Sequence, residues 1–282
     1  MLILLPPSEG KAAPRRGKPL DLAALDFPGL TDARQGVLDA LVELCEGDPA
    51  VAAKTLGLGG TQLDLVELNR SLRTAPSARA DHVYTGVLYD ALDVATLSTA
   101  ARRGRCAAND SARPGRAGCR RGRGSSRRRA TARLAVTSSL FGLVRPSDRI
   151  PAYRLSGDAT LPGLGPVAGV WRRHLGAEAT AAVGRGLLVD LRSGMYGAFW
   201  RPTPDVKVAT VRVLHEHQGQ RKVVSHFNKA TKGRIVQALL EDGAAPGTPA
   251  RLAEALRDLG WTVEEGTPGR AGVQLDVVVS EV

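Results

Sequence analysis

The chain has few residues of the kinds that build metal centres or covalent cross-links. Its 282 residues include five histidines and three cysteines, Cys45, Cys106 and Cys119. An odd number of cysteines without a CxxC pair favours neither a disulfide framework nor a zinc site, so we expect reduced thiols. His215 and His217 share one face of a predicted strand, but no third ligand is near them in the sequence. We therefore expect no metal and no cofactor, and we interpret that strand as an exposed edge.

Long apolar runs are also missing. No stretch approaches the roughly 20 apolar residues of a membrane-spanning helix. The apolar run Met1–Leu5 ends at Pro6 and Pro7, without the charged flank and cleavage site of a signal peptide. These absences predict a cytoplasmic protein without a membrane partner. Since 43% of the residues are hydrophobic, the chain can bury a sizeable core.

Acidic residues are nearly absent from one stretch, residues 101–133. It contains twelve arginines and a single acid, Asp110, so its net charge equals the +11 of the whole chain at pH 7. The remaining residues therefore sum to zero. The high net charge consequently does not indicate a basic face on the folded body, although a local basic groove is compatible with it.

This arginine-rich segment has almost no large apolar residues and cannot contribute to a core. We expect it to be disordered or a flexible surface loop that interrupts a single domain of residues 1–282. Two interpretations of its origin stay open. It is either a basic arm that binds phosphates non-specifically, or a stretch translated out of frame from GC-rich codons, which we favour. An intact single reading frame would rule out the second.

The rest of the chain alternates between apolar strands and amphipathic helices. Runs rich in Val and Leu predict strands at 1–5, 134–136, 187–191, 206–217 and 223–226, with a closing hairpin of 260–263 and 273–279. Helical spacing predicts a helix capped by Thr31, a second at 50–56, a third capped by Thr61, and others after 86, 166 and 233. The pattern predicts a mixed α/β (α+β) fold in one domain, with a central mixed sheet surrounded by helices.

The second and third predicted helices flank the glycine-rich turn Leu56-Gly57-Leu58-Gly59-Gly60. This is the outline of a helix-hairpin-helix element, in which glycine N–H groups approach a phosphate and Thr61 adds a hydroxyl donor. An ordinary glycine C-cap is the alternative interpretation. The turn at 161–166, LPGLGP, is a competing hairpin, but the segment before it is too short for a full helix.

The densest group of polar side chains lies in SSLFGLVRPSDRIPAYR, residues 138–154. Pro146 and Pro151 exclude a helix interior or a central strand. The segment is therefore predicted to be an ordered loop that carries Arg145, Asp148, Tyr153 and Arg154.

This loop resembles the signature of the YaaA family of peroxide stress resistance proteins. Four further blocks resemble that family in the same order: MLILLPPSEGK with Lys11, Tyr84–Gly86, Asp190–Tyr196 and Ser225–Gly233. The resemblance covers nearly the whole chain except 101–133, where the family has a much shorter connection. It implies a cytosolic protein of the oxidative stress response that limits damage from peroxide and free iron and binds double-stranded or junction DNA.

We expect such DNA binding to use a basic cleft. Lys229 and Lys232 lie three residues apart near a helix start, where cations oppose the helix dipole and so indicate an anionic partner. The full set expected to contact DNA or another anion is Lys11, Gly57, Gly59, Gly60, Thr61, Arg145, Tyr153, Arg154, Lys229 and Lys232. Because phosphate contacts do not distinguish bases, binding should be independent of sequence and weakened by salt.

An enzyme that acts on a small anionic metabolite or a nucleobase is the alternative, and the sequence leaves open whether any activity exists. The candidate catalytic residues, with Asp190 or Lys229 as the base, are Tyr84, Asp148, Asp190, Ser193 and Lys229. Their meeting in space is a condition that only geometry can test.

Overall fold

The computed structural model describes residues 1–59, 61–97, 125–218, 220–269 and 271–280. Within them the strands are β1 (Leu2–Leu5), β2 (Ala78–Arg79), β3 (Leu134–Ser138), β4 (Gly142–Val144), β5 (Arg149–Ile150), β6 (Thr160–Leu161), β7 (Gly165–Pro166), β8 (Leu187–Asp190), β9 (Lys207–His217), β10 (Gln220–Lys222), β11 (Thr262–Glu265) and β12 (Val273–Ser280). The helices are α1 (Thr31–Glu46), α2 (Pro49–Thr55), α3 (Asp64–Arg70), α4 (Ala80–Val83), α5 (Val87–Leu92), α6 (Ser126–Arg133), α7 (Val167–Val183), α8 (Gly194–Gly197), α9 (Ser225–Asp242) and α10 (Pro249–Asp258).

A mixed central sheet of eight strands confirms the predicted fold class. Its order is β11-β12-β9-β8-β1-β3-β4, with β10 paired to the far end of β9. The five strands from β12 to β3 are parallel, whereas β4, β10 and β11 are antiparallel to their neighbours. The chain leaves β1 for β3 on one side and later returns to β8 on the other. Loops that leave adjacent parallel strands in opposite directions open a crevice at the carboxyl ends of those strands.

The short β1 lies at the centre of this sheet. Its four apolar side chains are at most 1% exposed, as expected for a parallel strand covered on both faces. A cluster of buried apolar side chains extends from Leu2 to Val277 and includes the inward face of α1. Arg34 of α1 is also fully buried, and its guanidinium donates to Phe141 O (3.0 Å) and Leu143 O (2.8 Å). This arginine joins α1 to the β3–β4 turn, a role that the sequence did not indicate.

Part of the arginine-rich segment is ordered, so the prediction of a flexible loop is wrong for residues 125–133. These residues form α6, where Ser125 caps the helix by accepting from Arg128 N. Arg129 is 7% exposed and donates to Leu240 O (2.6 Å) and Glu241 O (3.0 Å), the last carbonyls of α9. A helix C-terminus has unsatisfied carbonyls and partial negative charge, so arginines stabilise it. The rest of that predicted segment lies outside the described residues.

Two predictions about the strands are wrong. Residues 223–226 are not a strand, because β10 ends at Lys222 and α9 begins at Ser225. The strand carrying the two histidines is not an exposed edge either, since β9 pairs with β8, β10 and β12 and His215 is only 8% exposed. The alternating apolar pattern of β9 marks burial but does not reveal how many neighbours a strand has.

Two predicted helix caps are also wrong. Thr31 is the first residue of α1 and not its cap, and its hydroxyl donates to Pro28 O (2.8 Å). The third helix begins at Asp64, three residues after Thr61, and its cap residue Leu63 makes no side-chain hydrogen bond. The chain arrives at both helices in a turn that already satisfies the first N–H groups locally.

Helices α5 and α9 pack very closely, and Gly233, the last residue of the Ser225–Gly233 block, explains why. A Cβ on Gly233 would lie 2.4 Å from Leu88 O and 2.9 Å from Leu92 N, which are backbone atoms of α5. Only a residue without a side chain allows this approach. The contact holds α5 against α9 beside the carboxyl end of β1. No helix in the described ranges combines the length and apolar character needed to cross a lipid bilayer.

Candidate functional site

A cleft of about 430 Å³ opens at the carboxyl end of β1, where the topology predicts a binding crevice. Its walls come from the turn after β1, the start of α5, the loop after residue 153, the turn after β8 and the first turns of α9. The polar side chains among the lining residues belong to Ser8, Glu9, Lys11, Thr85, Tyr89, Arg154, Ser156, Ser193, Tyr196 and Lys229.

Lys11 is held at the inner end of this cleft by both its backbone and its amine. Its backbone forms an isolated antiparallel bridge with Tyr84, and the following Ala12 N donates to Val83 O (2.9 Å). The amine donates to Ser8 O (2.8 Å) and lies 4.2 Å from the centre of the Tyr153 ring. The turn formed by the two prolines after β1 therefore directs this lysine back over the Tyr153 ring. Tyr153 and Tyr84 are buried and are not among the residues that line the cleft.

Beneath the Lys11 amine lies a chain of buried hydroxyl groups. The Tyr84 and Tyr153 hydroxyls lie 3.1 Å apart, and Ser138 Oγ lies 2.8 Å from the Tyr153 hydroxyl. Ser138 Oγ also accepts from Phe141 N (2.9 Å), which fixes its position. Burial raises the pKa of both tyrosines, so they remain neutral at physiological pH and do not act as bases there.

The electrostatic surroundings of Lys11 disfavour its charged form. Burial lowers the pKa of Lys11 to about 7, and the positive charge of Arg154 lowers it further, against a smaller opposite effect of Glu9. The Lys11 amine has no carboxylate within ion-pair distance in the described part of the chain. An amine that is partly neutral at physiological pH can act as a base or a nucleophile.

Arg154 is placed by a buried asparagine that the sequence did not indicate as important. Asn69 of α3 is 0% exposed, its amide donates to Arg154 O (2.7 Å) and its carbonyl accepts from Arg154 N (2.8 Å). The Arg154 Nε is buried without a hydrogen-bond partner in the described residues. An unpartnered guanidinium nitrogen beside a cleft is suited to an anionic ligand.

Helix α9 contributes one of its two predicted lysines directly to the cleft. Lys229 is exposed and lines the cleft, whereas Lys232 is half-buried and does not. Burial lowers the pKa of Lys232, and the charge of Asp190 partly offsets that effect. Lys232 is therefore oriented toward Asp190, while Lys229 remains available to a ligand.

Of the polar groups that follow β8, Ser193 and Tyr196 line this cleft, whereas Asp190 and Arg192 are absent from its lining. Asp190 forms a 2.7 Å ion pair with Arg192, whose side chain is 2% exposed, and accepts from the Arg192 backbone N–H as well. Arg192 also donates to Trp200 O (3.0 Å). Asp190 and Arg192 line a separate cavity of about 970 Å³ on the other side of α8. Asp190 thus has a partner that holds the turn after β8.

Arg145 and Asp148 lie outside the cleft. The Arg145 guanidinium donates to Leu134 O (2.9 Å) and stacks over the Phe27 ring at 4.7 Å. The buried Asp148 carboxylate accepts from Arg145 N (2.8 Å) and Asp26 N (3.1 Å). Burial raises the pKa of Asp148 to about 6, against the opposing effect of these two hydrogen bonds. Both residues fasten the β3–β4 region to the amino-terminal segment.

The glycine-rich turn after α2 closes that helix and uses its own N–H groups in doing so. Gly57 has φ of +64°, its N–H donates to Lys54 O (3.2 Å), and Leu58 N donates to Ala53 O (2.8 Å). This is the Schellman arrangement of a helix C-terminus. Gly59 N donates to the Gln62 side chain (3.1 Å). The turn therefore directs the N–H groups of Gly57 and Gly59 inward, and Gly60 lies outside the described residues.

The turn nevertheless adjoins the cleft. A shallow depression of about 520 Å³ lies between it and the loop after residue 153, and Arg154 lines both the depression and the cleft. Lys54 and Thr160 stand at the rim of the depression. The competing turn at 161–166 is the β6–β7 hairpin, which leads directly into α7 with no helix before it.

The described residues contain no group of three or more His, Cys, Asp and Glu side chains that could hold a metal ion. The buried His215 ring instead contacts the Phe227 ring, with ring centres 5.1 Å apart. Cys45 is buried and not disulfide-bonded, while Cys106 and Cys119 lie outside the described residues.

Comparison with known proteins identifies the family. The family model described as peroxide stress protein YaaA matches residues 123–266 of this chain. A UPF0246 protein of Streptomyces coelicolor is 49% identical over 100% of both chains. The chain belongs to the YaaA (UPF0246) family. A UPF0246 protein of Corynebacterium efficiens is 38% identical over 94% of this chain and 95% of its own length. YaaA-family membership confirms the resemblance and supports a general role in the stress response.

Proposed function

We propose that this YaaA-family protein binds double-stranded or branched DNA through its phosphates at the cleft and thereby limits peroxide- and iron-dependent damage in the cytoplasm. The observation that supports this is the meeting of Lys11, Arg154 and Lys229 at one cleft. Their charged groups have no ion-pair partner in the described part of the chain, and Glu9 is the one lining carboxylate. A cleft of this composition attracts anions.

Side chains, and not the glycine turn, are the phosphate donors in this proposal. The N–H groups of Gly57 and Gly59 already have acceptors, so they would have to break hydrogen bonds to contact a phosphate. Arg154 lies between the cleft and the depression beside that turn. A DNA backbone that follows Lys229, Arg154 and Lys54 would therefore pass the turn without depending on its N–H groups.

A titration of fluorescently labelled duplex and four-way-junction DNA tests the proposal. We compare the unmodified chain, Lys229→Ala, and Lys207→Ala as a matched control. Lys207 is an exposed lysine at the amino-terminal end of β9, whereas the cleft lies at the carboxyl end of the parallel strand β1. Loss of one phosphate contact should weaken binding about 3- to 10-fold, while the control should bind like the unmodified chain. Equal affinities for all three proteins would contradict a role for the cleft.

The arginine-rich segment requires a separate variant. The helix α6 is part of the folded body, so the substitutions must stop before residue 125. We replace with glutamine the eight arginines at 102, 103, 105, 113, 116, 120, 121 and 123. Loss of binding only in this variant would assign DNA binding to an adventitious basic arm. Loss only in Lys229→Ala would support the cleft.

A small-molecule enzyme is the second candidate function, because a half-buried amine of lowered pKa lies at the inner end of the cleft. Such pKa shifts are frequent among catalytic groups.

A further inference from the structure

Lys11 differs from the other basic groups of the cleft. Lys229 is exposed at the cleft, whereas the Lys11 amine is held between Ser8 O at 2.8 Å and the Tyr153 ring at 4.2 Å. A second ring, that of Tyr84, lies 5.7 Å from the same amine. A lysine that served only to attract phosphate would gain from exposure to the ligand and lose from this burial.

The two neighbouring cations define where an anion would sit. Both Arg154 and Lys229 line the cleft together with Lys11, and the Arg154 Nε has no partner in the described residues. A phosphate bound by these two groups would hold the rest of its molecule in the cleft that Lys11 also lines.

We propose that Lys11 forms an imine with the aldehyde carbon of a phosphate-bearing carbonyl compound held in the cleft. The nitrogen lone pair of Lys11 attacks the carbonyl carbon and forms a carbinolamine. The carbonyl oxygen then leaves as water with the two protons lost by the amine, which yields the C=N bond. No oxidant or reductant is consumed, and the imine returns to amine and aldehyde when water adds back.

The charges around the amine agree with this chemistry. The groups that face it are Tyr84, Tyr153, Arg154, Glu9 and, across the cleft, Lys229. With a pKa of about 7, a substantial fraction of the Lys11 amines is neutral at pH 7.5. An ordinary exposed lysine with pKa near 10.4 is neutral in about one molecule in a thousand at that pH. Lys11 should therefore react far faster than surface lysines.

Two sources could supply such an aldehyde. One is a free phosphorylated aldehyde, and the other is an abasic deoxyribose within DNA, whose ring-opened aldehyde lies between two phosphates. The second source rests on the proposed DNA binding, while the first does not. The chemistry of the cleft is the same for both, so the experiment has one arm for each.

The first arm uses pyridoxal 5′-phosphate as the probe, with borohydride to reduce the imine to a stable secondary amine. Peptide mapping by mass spectrometry should locate the label on Lys11 at low probe concentration. The variant Lys11→Arg should lose that label and the control Lys207→Arg should keep it. Pyridoxal, which lacks the phosphate, should label Lys11 at least about tenfold more slowly, because it forfeits charge-assisted hydrogen bonds.

The second arm uses a labelled duplex with one abasic site, reduced in the presence of the protein, and the same duplex without that site. A covalent protein–DNA product that requires both the abasic site and Lys11 would identify DNA as a source. Labelling by pyridoxal 5′-phosphate alone would identify a free phosphorylated aldehyde. Mapping in the unmodified chain keeps the test decisive even if Lys11→Arg folds poorly.

The proposal is overturned if neither probe labels Lys11, if the label spreads over exposed lysines without preference, or if pyridoxal reacts as fast as its phosphate. Binding of the intact duplex is measured in parallel. Labelling of Lys11 by pyridoxal 5′-phosphate without binding of intact DNA would reject the proposed function and retain the imine. DNA binding without any Lys11 adduct would retain the proposed function and reject the imine.

Discussion

The Lys11 amine gains little stability from its surroundings. Its two hydrogen bonds in the described part of the chain go to carbonyls of its own turn, and the strongest charge effect on it is the like charge of Arg154. Functional sites often contain residues that lower the stability of the fold, and Lys11 lines a cleft. Asp148 and Asp190 are the two carboxylates among the candidate catalytic residues. They differ from Lys11, because they accept hydrogen bonds that hold loops in place.

Replacement of Lys11 by methionine should stabilise the protein in a pH-dependent way. The folded pKa of about 7 lies below the unfolded value of 10.5, so the charged lysine destabilises the fold below pH 7. This penalty falls as pH rises from 7 to 10.5, where the unfolded chain releases its proton. We expect Lys11→Met to raise the free energy of unfolding by about 1–3 kcal/mol at pH 6 and by much less at pH 10.

Urea denaturation of Lys11→Met and the unmodified chain at both pH values measures this difference. Methionine keeps the length of the aliphatic stem, so packing changes little. A variant that is equally destabilised at pH 6 and pH 10 would show that the Lys11 amine stabilises the turn through its hydrogen bonds.

Replacement of Asn69 by leucine should affect both stability and binding. It leaves Arg154 N and Arg154 O without their partners, which should cost about 2–3 kcal/mol of unfolding free energy. Because Asn69 also fixes the Arg154 backbone, we expect DNA affinity to fall at temperatures where the variant is fully folded. Gln35→Leu is the control, since Gln35 is exposed and its side chain bonds Asp39 and no other described residue; it should change stability by less than about 0.5 kcal/mol. Unchanged DNA affinity in Asn69→Leu would show that Asn69 does not position Arg154 for DNA binding.

Among the elements, the contact of α5 with α9 determines the width of the cleft. Helix α5 supplies one wall, α9 supplies Lys229, and the two backbones approach at Gly233. The opposite end of α9 is fixed by Arg129 and Arg133 of α6, which donate to its last carbonyls and to the turn after it. The arginines of α6 are therefore structural, although they continue an arginine-rich sequence.

Alanine substitutions at two helical glycines should have opposite effects. At Gly233 the new Cβ would meet α5 backbone atoms at 2.4–2.9 Å, so Gly233→Ala should destabilise the protein by about 1–3 kcal/mol. At Gly176 of α7 the Cβ meets nothing within 4 Å, so Gly176→Ala should stabilise it by up to about 1 kcal/mol. Thermal unfolding followed by circular dichroism measures both. Similar melting temperatures for the two variants would contradict the close packing of α5 on α9.

At the scale of the whole molecule, the net charge is a misleading guide to the binding surface. The chain outside residues 101–133 is neutral overall, yet its folding collects Lys11, Arg154 and Lys229 around one opening. Their negative counterparts are engaged elsewhere, for example in the Asp190–Arg192 and Asp276–Arg212 ion pairs. A neutral body can therefore present a local positive potential.

The salt dependence of DNA binding should report this small number of contacts. With the three phosphate contacts proposed for Lys229, Arg154 and Lys54, the slope of log affinity against log salt concentration should be about −2 to −3 in the variant that lacks the eight arginines of residues 102–123. The unmodified chain should show a steeper slope if those arginines also contact phosphates. An affinity of the arginine-free variant that does not change between low and high salt would contradict phosphate binding at the cleft.

The sequence by itself determined the elements whose signals are local. The apolar run at 2–5, the valine-rich strands and the helices after Gly86 and Pro166 are where the pattern predicts them, and the family resemblance rests on contiguous blocks. Errors occurred where local signals are ambiguous. Residues 223–226 are apolar enough for a strand, but the α9 hydrogen bonds extend to Ser225. The arginines of α6 appeared solvated because their acceptors, the α9 carbonyls, lie about 110 residues away.

Only the tertiary structure decided which polar residues share a cleft. Lys11, Arg154, Ser193 and Lys229 converge there. Arg145 and Asp148 belong to the same loop as Arg154, but they bond Leu134 O and Asp26 N and do not line the cleft. Asn69 gave no signal in the sequence, because a lone asparagine in a helix is ordinary until a distant backbone requires its amide. The physical reason is that burial and hydrogen-bond partnership depend on contacts between segments far apart along the chain, and a sequence pattern reports only on neighbours.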